Sequence, residues 1–158
     1  MNLIELKRIH HTDNDIIKVK QYFNQPKEFK PIGLWYDIDN SWTEWCKRNM
    51  PDWTYKNHFE LEIDESKILI IDTKEKLLYF DKQYSINISK RGSICVIDWE
   101  SVSKKYSGIE ISPYRYDCRF SLFWYYGFDI ASGCIWNFDC INSINKINNI
   151  TDGLHSIK

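Results

Sequence analysis

The order of apolar and polar residues predicts several short strands. The segment HFELEID at 58–64 alternates strictly between apolar and acidic positions, the pattern of a strand with one buried face. The segment KILIID at 67–72 is a continuous apolar run, typical of a strand buried on both faces. Further strands are expected at 3–12, ending near His10–Thr12, at 32–38, at 109–114, where Pro113 breaks the strand, and within 122–138, with a turn near Gly127 or Ser132–Gly133.

Four other segments have the apolar spacing of helices and are expected at 13–23, 41–50, 73–85 and 97–107. Thr12 or Asp13 is a suitable N-cap for the first of them. Ser41 and Glu44 have the spacing of a capping box at the start of the second, which should end before Pro51. Helices and strands therefore share the chain in comparable numbers.

The mixture of strands and helices lacks strict βαβ alternation. We therefore expect an α+β fold with a central, mostly antiparallel sheet and short helices. A chain of 158 residues has the size of a single domain. That domain is expected to span residues 1–141, and the polar segment 142–158 is expected to be a fraying C-terminal tail.

Composition adds one unusual feature, an aromatic content of 16% that includes 7 tryptophans. Large aromatic side chains fill cores, but they also line ligand sites and partner surfaces. The formal net charge is −1, and the chain has no long basic run. This charge argues against sequence-independent binding to duplex nucleic acid.

Cysteine usage and the absence of long apolar stretches bear on location. The 5 cysteines show no CxxC spacing, so no structural zinc or other metal is expected, and free thiols are typical of a reducing compartment. No stretch approaches the roughly 20 apolar residues of a membrane span, and the N-terminus lacks the apolar region of a secretion signal. We therefore expect a cytoplasmic protein, located in the host cytoplasm if it is viral, with no membrane partner.

Two motifs near the start of the chain could line a pocket. In RIHHTD, the adjacent His10 and His11 point to opposite faces of a strand end, so one could enter a pocket, or both could be surface residues. In FKPIGLWYD, Gly33 permits close approach of another backbone or a ligand, and Trp35 and Tyr36 project to opposite faces. The second motif is equally compatible with a core strand that carries a bulge.

Two later motifs offer reactive groups. Glu110 in YSGIEI lies on the strand face opposite its isoleucine neighbours, either as a general base or electrostatic stabiliser or as a solvated side chain. Cys134 in the Ser132–Gly133–Cys134 run has no visible cation or helix N-terminus to stabilise a thiolate, so a buried, inert thiol is predicted. The chain contains no nucleophile elbow, P-loop, dinucleotide-binding glycine motif or metalloprotease motif.

Taken in order, these motifs resemble a family of uncharacterised bacteriophage and bacterial proteins. That family has a Tyr-His-Tyr-Thr start, a KPxGLW motif, a YDGI-I-PY motif and a YGWDxASGCIW motif, and residues from about 8 to 141 follow the same order. More distantly, this order of motifs also resembles that of the ADP-ribosyltransferase fold. Two positions depart from the family pattern, since Asp37 replaces a serine and Ser107 replaces an aspartate.

The resemblance implies a mono-ADP-ribosyltransferase-like protein that uses NAD as its substrate. It gives His10 and Thr12 the role of holding the ribose next to nicotinamide, Tyr36 the role of stacking on nicotinamide, and Glu110 that of contacting the ribose 2′-hydroxyl. A carboxylate there would stabilise the positive charge that develops on the sugar when the bond to nicotinamide breaks. The aromatic slot for nicotinamide would be formed by Trp35, Tyr36 and Trp42.

Three functions stay open at the level of sequence. The first is an ADP-ribosyltransferase or NAD glycohydrolase of a phage or other virus that acts on a host component, with a host protein or nucleic acid as acceptor. The second is a non-catalytic nucleotide-binding module that sequesters a nucleotide signal, in which Glu110 is dispensable. The third is a protein-interaction module that uses exposed aromatic residues such as Trp42 and Trp45 as a partner surface.

Overall fold

The computed structural model describes residues 6–92 and 94–148. Its strands are β1 Arg8–Thr12, β2 Lys27–Glu28, β3 Leu34–Ile38, β4 Asn57–Ile63, β5 Ile68–Ile71, β6 Ser85–Asn87, β7 Cys95–Asp98, β8 Gly108–Ile111, β9 Ser132–Ile135 and β10 Ile141–Ile147. Its α-helices are α1 Ser41–Asn49, α2 Lys74–Tyr84 and α3 Trp99–Ser103. Short 3-10 helices lie at Pro51–Trp53, Glu65–Lys67, Tyr116–Cys118, Phe123–Gly127 and Phe138–Cys140.

A large sheet of seven strands organises the fold, in the order β10-β4-β1-β3-β9-β8-β5. Neighbouring strands in it are antiparallel except β5 and β8, which are parallel. A smaller antiparallel sheet has the order β2-β7-β6. The prediction of a single α+β domain with a mostly antiparallel central sheet and short helices is confirmed.

The central strands of the large sheet are buried on both faces, whereas β4 and β10 at one edge also carry exposed residues. On one face, Ile109, Ile111 and Cys134 join a core that includes Trp99 and Trp124, both fully buried. The opposite face carries a second core, to which the strands contribute residues such as Tyr36, Leu61 and Ile135. On β8 and β9, a side chain that points away from one core therefore enters the other instead of reaching solvent.

Helices α2 and α3 begin at side-chain caps. Thr73 accepts a hydrogen bond from the backbone N–H of Lys76 at 3.2 Å, and Asp98 accepts one from that of Ser101 at 3.3 Å. These bonds satisfy N–H groups that have no partner within the helix. Helix α2 matches the predicted segment 73–85, whereas α3 occupies only Trp99–Ser103 of the predicted segment 97–107, because residues 97 and 98 belong to β7.

Helix α1 begins differently from the prediction. The capping box of Ser41 and Glu44 does not form, since the Ser41 hydroxyl donates to the Ala131 carbonyl at 3.1 Å. The N-cap residue is Asn40, which has a left-handed backbone with φ of 65° and no side-chain capping bond. The backbone N–H of Trp42 donates instead to the carboxylate of Asp37, five residues earlier. This hydrogen bond links the end of β3 to the first turn of α1.

Two predictions of local structure are wrong. The segment 13–23 is not a helix, because Ile16, Val19 and Phe23 remain exposed and provide no buried face to stabilise one. The segment that follows Asn142 does not fray from the start, since β10 pairs with β4 up to Ile147. Residues 149–158 of the predicted tail lie outside the described residues.

The aromatic segment 122–138 forms one strand, β9, preceded by the 3-10 helix Phe123–Gly127. Gly133 lies inside β9 and not in a turn, opposite Tyr36 of β3 and Glu110 of β8. Trp124 and Tyr125 are fully buried by this arrangement. The segment is therefore mainly core, and its end, from Phe128 to Ser132, borders the cleft described next.

Candidate functional site

A cleft of about 390 Å³ opens beside the centre of the large sheet. His11 of β1, Trp35 and Asp37 of β3 and Ser132 of β9 share one face of the sheet by alternation, and the loop before β9 borders the same cleft. Their chain neighbours His10 and Tyr36 also line the cleft, although alternation directs them to the other face. The lining residues are His10, His11, Lys30, Gly33, Trp35, Tyr36, Asp37, Trp42, Tyr55, Phe128, Asp129, Ile130 and Ser132. Its volume and its mixture of aromatic and few polar groups are typical of small-molecule sites.

Aromatic rings and one cation form a side of the cleft. Trp35 and Phe128 pack edge to face, with ring centroids 5.7 Å apart and an interplanar angle of 62°. The ammonium of Lys30 lies 5.5 Å from the Trp35 ring and 5.4 Å from the Phe128 ring. Although Lys30 is exposed as a whole, desolvation near these rings lowers the pKa of its ammonium, and the charge of Asp129 partly opposes that effect.

Asp37 is the polar centre of the cleft wall. Its Oδ2 accepts hydrogen bonds from His11 Nε2 at 2.7 Å and from the backbone N–H of Trp42 at 2.8 Å. Its Oδ1 is buried and has no hydrogen-bond partner among residues 6–92 and 94–148, and the same holds for the indole Nε1 of Trp42. An unpaired acceptor and an unpaired donor therefore belong to two residues of the cleft wall that are already bonded to each other.

His10 lies where β1 and β3 stop pairing. Its Nδ1 donates to the Trp35 carbonyl at 2.5 Å. Desolvation lowers the pKa of His10, the Trp35 carbonyl opposes this, and the nearby His11 adds to it. His10 also borders a second cavity, of about 770 Å³, and it is in this cavity that Thr12 lies.

Glu110 is on the strand face predicted for it, but that face is buried. Arg8 holds it through a bond from Nε to Oε1 at 2.6 Å and one from Nη2 to Oε2 at 3.2 Å, and Arg8 also contacts Glu65 at 2.6 Å. The Tyr36 hydroxyl donates to Glu110 Oε1 at 3.0 Å. Burial, and then the charge of Glu110, raise the pKa of Tyr36 well above its usual range.

The structure brings together part of the predicted site. His10, Trp35, Tyr36 and Trp42 line the cleft, although the Tyr36 hydroxyl is directed to Glu110 on the other face. The predicted convergence of Glu110 with them is wrong, because Glu110 is 2% exposed and does not line the cleft. His10 borders both cavities, whereas Thr12 borders only the second one.

The sequence assigned no role to several of the polar groups that line the cleft: Asp37, Lys30 and Asp129 were not predicted there, and His11 was only one of two histidines that could enter a pocket. Period-two alternation could have placed His11, Trp35 and Asp37 on one face, once β1 and β3 were paired. Lys30 and Asp129 come from loops, where no periodicity signals direction. The burial predicted for the Cys134 thiol is confirmed, and desolvation raises the pKa of this thiol well above its usual range.

An aromatic cluster continues from the cleft along α1. The rings of Trp42 and Trp45 stack at 5.3 Å with an interplanar angle of 15°, and Trp53 lies 6.5 Å from Trp42. Trp53 is 51% exposed. The cleft therefore opens next to a flat aromatic surface rather than a purely polar one.

Comparisons with protein-family models, with curated proteins and with solved structures found no match. Residues 6–92 and 94–148 contain no helix that is long and apolar enough to cross a membrane. The same residues contain no group of three or more His, Cys, Asp or Glu side chains placed to hold a metal ion. Function is therefore inferred from the chemistry of the cleft.

Proposed function

We propose that this protein binds a nucleotide and holds its flat base in the cleft between β1, β3 and the loop before β9. The observation that carries the proposal is the partly buried ring of Trp35, packed on the buried ring of Phe128, with the ammonium of Lys30 above both. Aromatic rings hold bases by stacking, and a partly desolvated ammonium attracts the phosphate. Asp37 and Trp42 carry a buried acceptor and a buried donor that have no partner among the described residues, and both groups must turn toward the cleft to pair with an amide or amidine edge of a base.

Replacing Trp35 by alanine is expected to weaken nucleotide binding by about 5- to 150-fold, since stacking on one aromatic ring contributes roughly 1–3 kcal/mol. NAD, ADP-ribose and cyclic nucleotides are the probes, and titration calorimetry measures the dissociation constant. The matched control is Tyr79→Ala, which removes a ring that is 66% exposed on α2 and does not line the cleft. Equal affinities of both variants for a probe that the wild type binds would contradict the proposal, and so would the absence of binding to every probe.

A second proposal is an ADP-ribosyltransferase-like fold that turns over NAD, in line with the family resemblance. It is supported by the position of His10 and Trp35 at one cleft, although the carboxylates that line this cleft belong to Asp37 and Asp129 and not to Glu110. If turnover occurs, nicotinamide is released from NAD, and Asp129→Asn should reduce that release by more than tenfold. Binding of NAD with no release of nicotinamide would leave the non-catalytic binding module.

A further inference from the structure

A line of three hydrogen-bonded side chains runs from the cleft to the neighbouring strand. His11 Nε2 contacts Asp37 Oδ2 at 2.7 Å, and His11 Nδ1 lies 2.7 Å from His58 Nδ1. His11 and His58 are paired residues of β1 and β4, and their rings meet edge to face with centroids 4.9 Å apart. Only 6% of the His11 side chain and 1% of the Asp37 side chain are exposed, so water cannot readily replace these contacts.

The contact between the two Nδ1 atoms needs one proton and only one. A ring nitrogen of histidine donates when it carries a proton and accepts when it does not. In the neutral pair, His11 donates to Asp37 from Nε2 and accepts from His58 at Nδ1. One added proton can be accommodated, because a charged His11 donates to both neighbours. A second added proton places N–H against N–H and two positive charges together, which breaks the contact.

We propose that His58 is a positioning residue that fixes His11 and Asp37 in the cleft wall, and that the wall opens when both imidazoles are protonated. His58 does not line the cleft, whereas His11, Asp37 and Trp42 do. Loss of the His58 contact frees His11, and His11 is what holds Asp37 besides the N–H of Trp42. The ligand-binding shape of the cleft is therefore lost in acid.

Several other groups lie around the pair of His11 and His58. On β1 the neighbour is His10, and on β4 alternation places Glu60 on the same side as His58. On β10 the residue opposite His58 is the uncharged Ile147. From α1, the thiol of Cys46 is close enough for Asp37 to raise its pKa, after desolvation, which is the larger cause.

Desolvation, and then His11, lower the pKa of His58, while Asp37 opposes both. A histidine whose pKa is lower in the folded state favours folding most above its unfolded pKa of about 6.5. That contribution is lost as the pH falls from there through the folded pKa. The cleft wall is therefore expected to open below about pH 6.5.

The first test needs no ligand. Nitrogen-15 NMR of the histidine rings, recorded from pH 8 to pH 4.5, reports which ring nitrogen carries a proton. We expect a shared Nδ1–H···Nδ1 proton at neutral pH, and a first protonation that preserves it, followed by a second that abolishes it. Two independent one-proton titrations, with no shared proton at any pH, would overturn the proposal.

The second test uses ADP-ribose, whose pyrophosphate keeps its charge over this range, and it rests on the proposed nucleotide binding. Wild-type affinity is expected to fall by about tenfold between pH 7.5 and pH 5, equivalent to one pKa unit of linkage. His58→Asn keeps a hydrogen-bonding group near the Nδ1 position without titrating, so it should bind within about twofold of wild type at pH 7.5 and lose at most about twofold at pH 5. His58→Leu should bind weakly at both pH values.

The outcomes are distinguishable. Equal pH profiles for the wild type and His58→Asn would overturn the role of His58, even if ADP-ribose binds well. If ADP-ribose does not bind at all, the proposed function fails for this ligand, and the NMR titration alone decides whether the histidine pair behaves as described.

Discussion

Replacing Glu110 by glutamine is expected to lower the free energy of unfolding by about 3–5 kcal/mol, because it leaves the buried Arg8 guanidinium without its main counter-charge. Arg8 is 8% exposed and Glu110 is 2% exposed, so water cannot compensate for the lost charge. Its other partner, Glu65, has a side chain that is 59% exposed and offers a weaker, screened interaction. Urea denaturation followed by circular dichroism measures the difference. Glu62→Gln, on the exposed side of β4, is the matched control and should change stability by less than about 0.5 kcal/mol.

A double variant shows whether charge burial is the cause. Arg8→Met with Glu110→Leu removes both charges and should recover most of the stability that Glu110→Gln loses, since apolar replacements of buried ion pairs are often neutral. The Tyr36 hydroxyl then lacks its acceptor, which costs about 1–3 kcal/mol. If Glu110→Gln is as stable as the wild type but loses the turnover of NAD, Glu110 acts in catalysis and not as a buried structural group.

The strands were predictable from the sequence because their apolar pattern is local. HFELEID became β4, with Phe59, Leu61 and Ile63 buried, and KILIID became β5. Helix α2 was equally predictable, since Thr73 caps it and its apolar residues recur at helical spacing. In these elements the local preference and the tertiary packing agree.

The segment 13–23 shows the limit of that approach. Its apolar spacing fits a helix, yet its backbone is fixed by distant groups, such as the Trp136 carbonyl that accepts from the Tyr22 N–H at 2.9 Å. Gln25 adds bonds to the backbone of Tyr22 and Ile32. Contacts across more than 100 residues leave no signature in local spacing, and most helical stability comes from packing.

The candidate site was predictable only in its aromatic part. Trp35 and Trp42 could be assigned to a slot because large rings near a glycine-containing strand are conspicuous in the sequence. Glu110 was misplaced because its environment depends on Arg8, 102 residues away, and on a second core that covers its face of the sheet. The partnership of His11 with His58 and Asp37 likewise depends on the pairing of β1 with both β3 and β4.

Gly133→Ala is expected to destabilise the protein by about 3 kcal/mol, the sum of overpacking and of a weakened hydrogen bond to a charged group. A Cβ at this position would overlap Cζ and the hydroxyl oxygen of Tyr36 and would lie 2.7 Å from its Cε1. Tyr36 is 3% exposed, so its ring has no free space to move into and must leave Glu110. Thermal and urea unfolding measure the loss. Gly127→Ala is the control, because its Cβ would meet only Lys30 Cε, at 3.4 Å, and should cost about 0.5 kcal/mol or less.

A double-mutant cycle with Tyr36→Leu separates steric overlap from other effects of the extra methyl group. A leucine side chain is too short to reach the positions of the clashing Tyr36 atoms. Adding Gly133→Ala to Tyr36→Leu should therefore lower stability by less than about 1 kcal/mol, and the two sites should show a coupling energy of about 2 kcal/mol. This outcome would fix the Tyr36 ring on the Glu110 face of the sheet, where it cannot stack on a base in the cleft. If Gly133→Ala is instead as mild as Gly127→Ala, the ring does not lie over Gly133, and Tyr36 regains the role of a stacking residue in the cleft.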